Sequence, residues 1–158
     1  MVKCMEQRAR DFQGWKPNIY IERTRSQRYS VGGHYVHHYD WSGDSATGRG
    51  GRISTFMVYL EANCTGGGTN FLRLKMPADL KWCQFIECGD NRPPGLEEIE
   101  LKGITFKPIK GNAIFWENLR ADSKGYRETW HAALPVLLGT KVGLNIWSRY
   151  QFQVKLRS

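Results

Sequence analysis

The stretch ITFKPIKGNAIFW, residues 104–116, shows the pattern that decides the fold class. Residues 104–108 and 113–116 are short runs rich in β-branched and aromatic side chains, and Lys110-Gly111-Asn112 separates them. Runs of this length and composition are typical of β-strands, and a glycine-containing break between two such runs is typical of a turn. The stretch therefore predicts two short strands that are joined by a turn.

The same pattern continues in both directions along the chain. We predict further strands within residues 19–40, 53–60, 127–133 and 142–150. We predict turns at Val31-Gly32-Gly33, at TGGGT (residues 65–69) and at Leu138-Gly139-Thr140, and a loop at residues 41–51. Apolar residues recur at helical spacing only in residues 2–13, which predicts a short amphipathic helix. Many short strands with glycine turns predict a mainly β, closed architecture of the jelly-roll type.

Length and composition predict one globular domain, residues 1–158, with an ordinary apolar share of 41%. Residues 75–103 contain Met-Pro, Arg-Pro-Pro-Gly and a short acidic run, so we expect an insertion or a long surface loop there. No stretch reaches the length of a membrane span, and the first residues have no apolar core of a signal peptide. The sequence does not indicate a compartment or an oligomeric state.

The formal net charge is +8 and the isoelectric point is about 9.5. Such a balance raises the odds of an anionic partner. The basic residues are scattered, however, and the nearest clusters (Arg23, Arg25 and Arg28; Lys102, Lys107 and Lys110) are not runs of the kind that marks a nucleic-acid tail. We therefore favour a solvated basic surface over a functional basic patch.

Four cysteines are too few for a disulfide scaffold in a chain of 158 residues. Cys83 and Cys88 are close enough in sequence to form a disulfide or to share a metal ion. A second pair of ligands with zinc spacing is missing from the sequence, so zinc binding is weakly indicated. Reduced thiols and a local disulfide both remain open at this point.

His38 and Asp40, in the segment HHYD (residues 37–40), are candidate metal ligands. The segment ends a predicted strand, and because side chains alternate along a strand, these two project to the same side. Only four histidines are present. His34 and His37 belong to the same strand region as the pair, which leaves His131 as the third candidate ligand.

Two histidines and one carboxylate on one face of a metal ion leave positions open, which is the arrangement of non-haem Fe(II) oxygenases. A His-x-Asp pair alone favours the alternative of surface polar groups at a strand end over a metal site. Lys141, ten residues after His131, offers a cation for the far carboxylate of an iron-chelating cosubstrate. The ordinary alternative for Lys141 is a solvent-exposed lysine after a turn.

Four segments then occur in an order that is known from one enzyme family. They are RYSVGGHYVHHYDW (residues 28–41), RISTFMVYL (52–60), GGGTNF (66–71) and HAALPVLLGTKVGLNIWSR (131–149). Together with the Lys-Pro before KGNAIFW, they resemble the catalytic domain of prolyl 4-hydroxylases, within the Fe(II)/2-oxoglutarate oxygenase superfamily. The resemblance covers about residues 19–150.

The resemblance implies a double-stranded β-helix that binds Fe²⁺, 2-oxoglutarate and O2, with ascorbate as a candidate reductant. It implies the following metal ligands: His38, Asp40 and His131. It implies that the cosubstrate is held by Lys141, Tyr29 and Thr69. It also implies a substrate channel lined by Tyr35, Arg52 and Trp147, although the two aromatic residues could equally be core residues.

The reaction that the resemblance implies is 4-hydroxylation of a peptidyl proline, with release of succinate and CO2. The long segment 75–103 keeps open a small molecule or another protein side chain as the substrate. Nucleic-acid demethylation is disfavoured because such oxygenases usually hold the cosubstrate with Arg, where this chain has Lys141. A non-catalytic binding module is disfavoured because all three ligands and Lys141 are present.

The chain departs from the family pattern in three places. Most of the usual N-terminal helices and strand of the domain are missing from this sequence. Residues 75–103 form a longer segment than is typical. Gly68 stands where the family usually has Glu, which removes an acidic group.

Overall fold

The computed structural model describes residues 2–14, 19–41, 51–88 and 103–150. Within these ranges nine strands form two antiparallel sheets. The five-stranded sheet has the order β1-β9-β4-β7, with β2 also paired to β9, and the four-stranded sheet has the order β3-β8-β5-β6. This architecture confirms the predicted mainly β fold of the jelly-roll type.

One helix precedes the strands and two short 3-10 helices, Leu80–Gln84 and Arg127–Thr129, lie between them. The elements are α1 Val2–Phe12, β1 Ile19–Ile21, β2 Arg25–Tyr29, β3 Tyr35–His38, β4 Arg52–Gly66, β5 Thr69–Phe71, β6 Ile104–Phe106, β7 Ala113–Glu117, β8 His131–Ala133 and β9 Val136–Tyr150.

The long strands β4 and β9 form the spine of the five-stranded sheet, and their alternation separates its two faces. Phe56 pairs with Ile146, and the next pair along the strands is Thr55 with Trp147. Consecutive residues of a strand project to opposite faces. Phe56 and Ile146 therefore contribute to an apolar face, whereas Thr55 and Trp147 contribute to the face that carries the candidate site.

Helix α1 covers the apolar face of this sheet. Ala9 is buried in one cluster with Phe56 and Ile146, and Met5 packs against that cluster. The Phe12 ring lies 5.3 Å from the ring of Phe56 in an edge-on arrangement. Full burial of a side chain such as Ile146 contributes about 1.5–3 kcal/mol, so this packing helps to fix the helix on the sheet.

Aromatic residues fill the space between the two sheets. Trp116 of β7 lies 5.2 Å from Phe71 of β5 and 4.8 Å from His131 of β8, measured between ring centroids. Because these contacts connect the two sheets, they fix the position of β8 relative to the five-stranded sheet. His131 is held in the interior by the same packing.

Four of the predicted strands have different bounds in the structure. Residues 127–133 were expected to form one strand, but Arg127–Thr129 is a 3-10 helix and only His131–Ala133 is extended. The predicted strand 104–108 ends at Phe106. The predicted strands 53–60 and 142–150 are parts of the longer β4 and β9. Sequence patterns miss these bounds because strand length depends on the pairing partner.

Leu138-Gly139-Thr140 was predicted to be a turn, but the three residues lie inside β9 and pair with β4. Gly139 has a φ of +78°, which explains the turn-like signal in the sequence. A Cβ at this position would lie 2.1 Å from the carbonyl oxygen of Asn63. Gly139 thus allows close approach of β4, and the chain continues without reversing. The turns at Val31-Gly32-Gly33 and Lys110-Gly111-Asn112 are confirmed.

Cys83 and Cys88 form a disulfide with a Cα–Cα distance of 5.5 Å. It closes a loop next to β6, where Ile86 pairs with Phe106. The Lys107 ammonium donates a hydrogen bond of 2.6 Å to the carbonyl oxygen of Cys83. Of the states left open by the sequence, the structure shows the disulfide, so these sulfurs are not free to ligate zinc.

Most of the predicted loop 41–51, and residues 89–102 of the predicted insertion, lie outside the described residues. Among the helices of the described ranges, none is long and apolar enough to cross a membrane.

Candidate metal centre and adjoining cavity

His38, Asp40 and His131 lie together at the centre of the site, as the sequence predicts. His38 ends β3 and pairs directly with His131 at the start of β8, and Asp40 follows two residues after His38. One ligand atom from each of the three lies within 4.8 Å of the others. The Nε2 atoms of His38 and His131 lie 3.6 and 4.0 Å from the oxygens of Asp40.

Backbone carbonyls fix the orientation of both imidazole rings. Nδ1 of His131 lies 2.8 Å from the carbonyl oxygen of Thr129, and Nδ1 of His38 lies 2.8 Å from that of Val36. A carbonyl only accepts hydrogen bonds, so Nδ1 of each ring is the protonated nitrogen. Each Nε2 is therefore left with a lone pair that faces Asp40, which is the tautomer that a metal ligand needs.

Asp40 is the end point of a chain of buried hydrogen bonds. Its Oδ2 accepts from the Thr55 hydroxyl at 2.7 Å and from the Trp147 indole N–H at 3.0 Å. The Asn118 amide donates to Thr55 at 2.9 Å and accepts from the Trp116 indole at 2.9 Å. Both donors to Asp40 are on the five-stranded sheet, so the carboxylate is oriented by the sheet opposite the two histidines.

The electrostatic environment favours an ionised Asp40 and a neutral His131. Burial raises the pKa of Asp40, but the nearby His38 and His131 and the hydrogen bonds from Thr55 and Trp147 outweigh it and lower the pKa to about 2. Burial lowers the pKa of His131, although the Asp40 charge opposes this. A carboxylate and neutral imidazoles are the protonation states in which these groups ligate metals.

Lys141 is 2% exposed, so the alternative of a solvent lysine is wrong. Its ammonium donates a hydrogen bond to the carbonyl oxygen of Gly67 and lies 4.8 Å from the centroid of the Tyr29 ring. Burial lowers the pKa of Lys141 to about 8, since a desolvated ammonium loses its hydration. Among the described residues Lys141 has no carboxylate within ion-pair distance, so an anionic partner would relieve this cost.

Of the other two residues implied for the cosubstrate, Tyr29 lies beside the Lys141 ammonium. Thr69 is linked to it through Tyr59, whose ring centroid is 6.0 Å from that ammonium. Tyr29 pairs with Lys141 across β2 and β9, and its hydroxyl donates to Gln27 at 2.6 Å. Thr69 is buried, and its hydroxyl shares a hydrogen bond of 2.8 Å with Tyr59. Burial raises the pKa of Tyr59 well above its ordinary value, so this phenol stays neutral.

A cavity of about 310 Å³ opens beside the three candidate ligands. It contains all three residues implied for the substrate channel, and Tyr35 is 50% exposed there. Tyr29 and Thr69 also line it. The lining is Arg25, Gln27, Tyr29, Tyr35, His38, Tyr39, Asp40, Arg52, Thr69, His131, Ala133, Asn145 and Trp147.

Residues 24–149 match the family described as the 2OG-Fe(II) oxygenase superfamily. The match covers most of the chain, including every residue of the cavity. This chain belongs to the 2OG-Fe(II) oxygenase superfamily.

Relatives within the superfamily include prolyl 4-hydroxylase subunits. Human prolyl 4-hydroxylase subunit alpha-1 is 29% identical over 153 residues, which are 93% of this chain and 23% of that protein. Subunit alpha-2 from Caenorhabditis elegans is 31% identical over 132 residues, 80% of this chain and 19% of that protein. This chain thus spans less than a quarter of the length of these curated relatives.

A solved structure supports the same placement. The viral collagen prolyl hydroxylase of Paramecium Bursaria Chlorella virus-1, in its 2OG complex, superimposes with a TM-score of 0.69 at 29% identity. The alignment covers 94% of this chain and 72% of that one. A Pseudomonas putida prolyl-4-hydroxylase, at 17% identity and a TM-score of 0.52, shares the fold.

Membership of the superfamily implies Fe²⁺, 2-oxoglutarate and O2. The donor set fits this requirement, because two oriented imidazole nitrogens and one ionised carboxylate converge within 4.8 Å. The buried ammonium of Lys141, which has no carboxylate partner among the described residues, fits a dicarboxylate such as 2-oxoglutarate.

Arg52 is held by two carboxylates and one aromatic ring. It donates to Glu22 from Nε at 2.9 Å and from a terminal nitrogen at 3.2 Å, and it lies 3.5 Å from Asp40. Its guanidinium lies 3.7 Å from the centroid of the Trp147 ring. Glu22 was not recognised in the sequence, because its partners Arg52 and Arg149 are distant along the chain.

Gly68, the departure from the family pattern, lies in a crowded position. A Cβ there would be 2.6 Å from the Thr105 methyl group and 2.9 Å from the carbonyl oxygen of Phe106. A glutamate would therefore require β6 to move away. Gly68 thus allows β6 to pack closely at the position where the family usually has an acidic side chain.

Sequence reasoning also missed Thr55, Asn118 and Tyr59. Thr55 is part of the segment RISTFMVYL (residues 52–60) but was not singled out, and no local signal distinguishes Asn118. Both are fully buried polar residues at 0% exposure, and Tyr59 is 1% exposed. His37 is not part of the candidate ligand set, and its Nε2 lies 3.1 Å from the Asn70 amide oxygen.

Proposed function

We propose that this chain is an Fe(II)- and 2-oxoglutarate-dependent dioxygenase that hydroxylates peptidyl proline at C4. The observation that carries the proposal is the convergence of His38, Asp40 and His131 beside an open cavity. Similarity to prolyl 4-hydroxylase subunits and to a viral collagen prolyl hydroxylase supports the choice of proline. The products besides hydroxyproline are succinate and CO2.

The three candidate ligands would hold Fe²⁺ through Nε2 of His38, Nε2 of His131 and the Asp40 carboxylate. When bound, Fe²⁺ and 2-oxoglutarate supply the oxidation, in which one atom of O2 enters succinate and the other enters the substrate. Thr55 and Trp147 keep the carboxylate oriented, since both donate to Oδ2. The pKa of about 2 for Asp40 keeps the carboxylate ionised at neutral pH.

Lys141 would bind the distal carboxylate of 2-oxoglutarate. The ammonium is buried and compensated only by a carbonyl and aromatic rings among the described residues, so a carboxylate gains a charge-assisted hydrogen bond there. Tyr29 and Thr69 would line the same end of the site, one beside the ammonium and one next to Tyr59. A cosubstrate held by these residues would lie between β2, β5 and β9.

Tyr35, Arg52 and Trp147 would contact the peptide. They line the cavity that adjoins the ligands, and Arg52 and Trp147 form a flat surface because the guanidinium lies over the indole. The exposed Tyr35 ring packs edge-on against His38 at 4.5 Å. Aromatic walls suit proline-rich segments, which adopt an extended polyproline conformation at low entropic cost. Ascorbate is a candidate reductant of the iron between turnovers.

The test is succinate formation with Fe²⁺, 2-oxoglutarate and a panel of proline-rich peptides, with mass spectrometry of the peptides. We expect a mass increase of one oxygen on proline, and we expect His38→Ala to abolish it. His34→Ala is the matched control, because His34 is exposed and bonds only to the Gly32 carbonyl among its described contacts. Succinate formation without oxidised proline on any peptide would contradict the proline assignment and favour another substrate.

A further inference from the structure

Strand β2 presents one of its faces to the cavity and the other face away from it. Arg25, Gln27 and Tyr29 line the cavity, and they are spaced two residues apart, as expected for one face of a strand. Arg28 lies between two of them on the opposite face and is exposed. The two arginines of β2 therefore lie on opposite faces of the strand, and of these two only Arg25 lines the cavity.

Arg25 differs from the other guanidinium in the cavity. Arg52 has two acidic partners, Glu22 and Asp40, which compensate its charge. Within the described part of the chain, Arg25 has no carboxylate partner, and its side chain is exposed. Its guanidinium carbon lies 6.0 Å from the centroid of the Trp147 ring. The cavity therefore has an uncompensated positive charge on its wall.

This charge is close to the candidate reaction centre. The Trp147 indole that neighbours Arg25 donates to Asp40 at 3.0 Å, so a single ring connects the guanidinium to a candidate iron ligand. A residue of extended chain spans about 3.3–3.6 Å. A group bound by Arg25 would thus belong to the substrate within about three residues of the carbon that reacts.

We propose that Arg25 is a specificity-determining residue that recognises a carboxylate on the substrate. For a peptide substrate, this is an Asp or Glu side chain within about three residues of the target proline. A guanidinium binds a carboxylate through two parallel hydrogen bonds, and the nearby acidic side chains are already committed to Arg52 and do not compete. The inference rests on the proposed function and adds a substrate class to it.

The test compares binding of three labelled peptides that differ only in Glu, Gln or Lys near one proline, scanned over three positions on each side. Fluorescence anisotropy is read on the whole chain with Mn²⁺ and 2-oxoglutarate, so turnover is not required. We expect the Glu peptide at the best position to bind about fivefold more tightly than the Gln peptide. The preference should decrease with added salt, because the guanidinium is exposed.

Two variants of equal charge separate the local effect from the net charge. Arg25→Gln should remove the preference for Glu, and Arg28→Gln should keep it, because Arg28 lies on the other face of the same strand. Arg25→Glu should reverse the preference in favour of the Lys peptide. Equal affinities for the Glu and Gln peptides in the wild-type chain, including no binding of either, would overturn the proposal. An equal loss in both Gln variants would overturn it as well.

The proposed function is tested separately in the same samples. Succinate formation and oxidation of the Gln peptide report the iron chemistry and the proline assignment. Failure of those readouts with an intact preference for Glu would refute proline hydroxylation and leave the carboxylate selectivity standing. Normal oxidation of proline with no preference for Glu would refute the role of Arg25 alone.

Discussion

The candidate metal centre and the rim of the cavity differ in how completely their polar groups are compensated. Asp40, Thr55 and His131 are 9%, 0% and 6% exposed, and each has defined hydrogen-bond partners. At the rim, Tyr35 is 50% exposed and Arg25 has no acidic partner among the described residues. Side chains whose polar groups already have protein partners hold one fixed arrangement for the reaction. Side chains at the rim without such partners can bind and select substrates.

The largest effect is expected from loss of a candidate ligand. His131→Ala removes one of three ligand atoms and leaves a gap against Trp116 and Phe71. We expect activity to fall below about 1% of wild type, since even changes behind the ligands reduce metal affinity ten- to hundredfold. Succinate formation and Co²⁺ absorption titrations measure this. Retained Co²⁺ affinity in His131→Ala would exclude His131 as a ligand.

The next largest effect is expected at Lys141. Lys141→Met should raise the KM for 2-oxoglutarate by about ten- to hundredfold, because a hydrogen bond to a charged group contributes about 1.5–3 kcal/mol. Methionine preserves most of the buried volume. Lys141→Arg keeps the charge but changes the geometry of its donors. An unchanged KM in Lys141→Met would show that the cosubstrate binds elsewhere.

Lys141 also predicts a pH dependence of cosubstrate binding. Its pKa of about 8 is below the ordinary 10.5, so the free site loses its positive charge as the pH rises through about 8. We expect the Kd of 2-oxoglutarate, measured calorimetrically with Mn²⁺, to be constant below that pH and to rise above it. Lys141→Arg is the control, because arginine stays charged and its Kd should not follow this curve.

A smaller effect is expected behind the ligands, at Thr55. Thr55→Val removes the hydroxyl that donates to Asp40 and leaves the buried Asn118 amide without this acceptor. We expect the free energy of unfolding, measured with urea, to decrease by about 1–3 kcal/mol. We expect the affinity for Co²⁺ to decrease about tenfold. Thr55→Ser retains the hydroxyl and should behave as wild type in both measurements. Equal losses in Ser and Val variants would attribute the effect to packing.

The smallest effect on activity is expected at the disulfide, which is outside the buried centre. Replacement of both Cys83 and Cys88 by Ser should lower the free energy of unfolding by about 2 kcal/mol, as expected for so short a loop. Succinate formation without peptide should stay within about twofold of wild type, because the ligands are on other strands. Cys4→Ser, at an exposed free cysteine, is the control for loss of a sulfur. A large loss of succinate formation would show that the loop closed by this disulfide supports the candidate metal centre.

Much of this protein follows from local sequence. The alternation of His38 and Asp40, the short β-rich runs and their glycine turns predict the strands and two of the ligands, because strand periodicity acts over neighbouring residues. Elimination among the four histidines nominates His131 as the third candidate ligand, and the ordered segments up to Trp147 then predict the family and its cofactors. All nine site residues implied by that resemblance lie in or beside one cavity.

Only the tertiary structure decides which distant groups compensate one another. No local sequence pattern connects the residues of the Asn118–Thr55–Asp40 hydrogen-bond chain or of the Glu22–Arg52 ion pair. The position of Arg25 in the cavity wall is likewise visible only in the structure. Gly139 carries the sequence signal of a turn, yet the pairing of β4 with β9 keeps it in a strand. Sequence periodicity assigns a side chain to one face of a strand. The free-energy cost of burying a polar side chain there depends on which groups of the opposite sheet contact it.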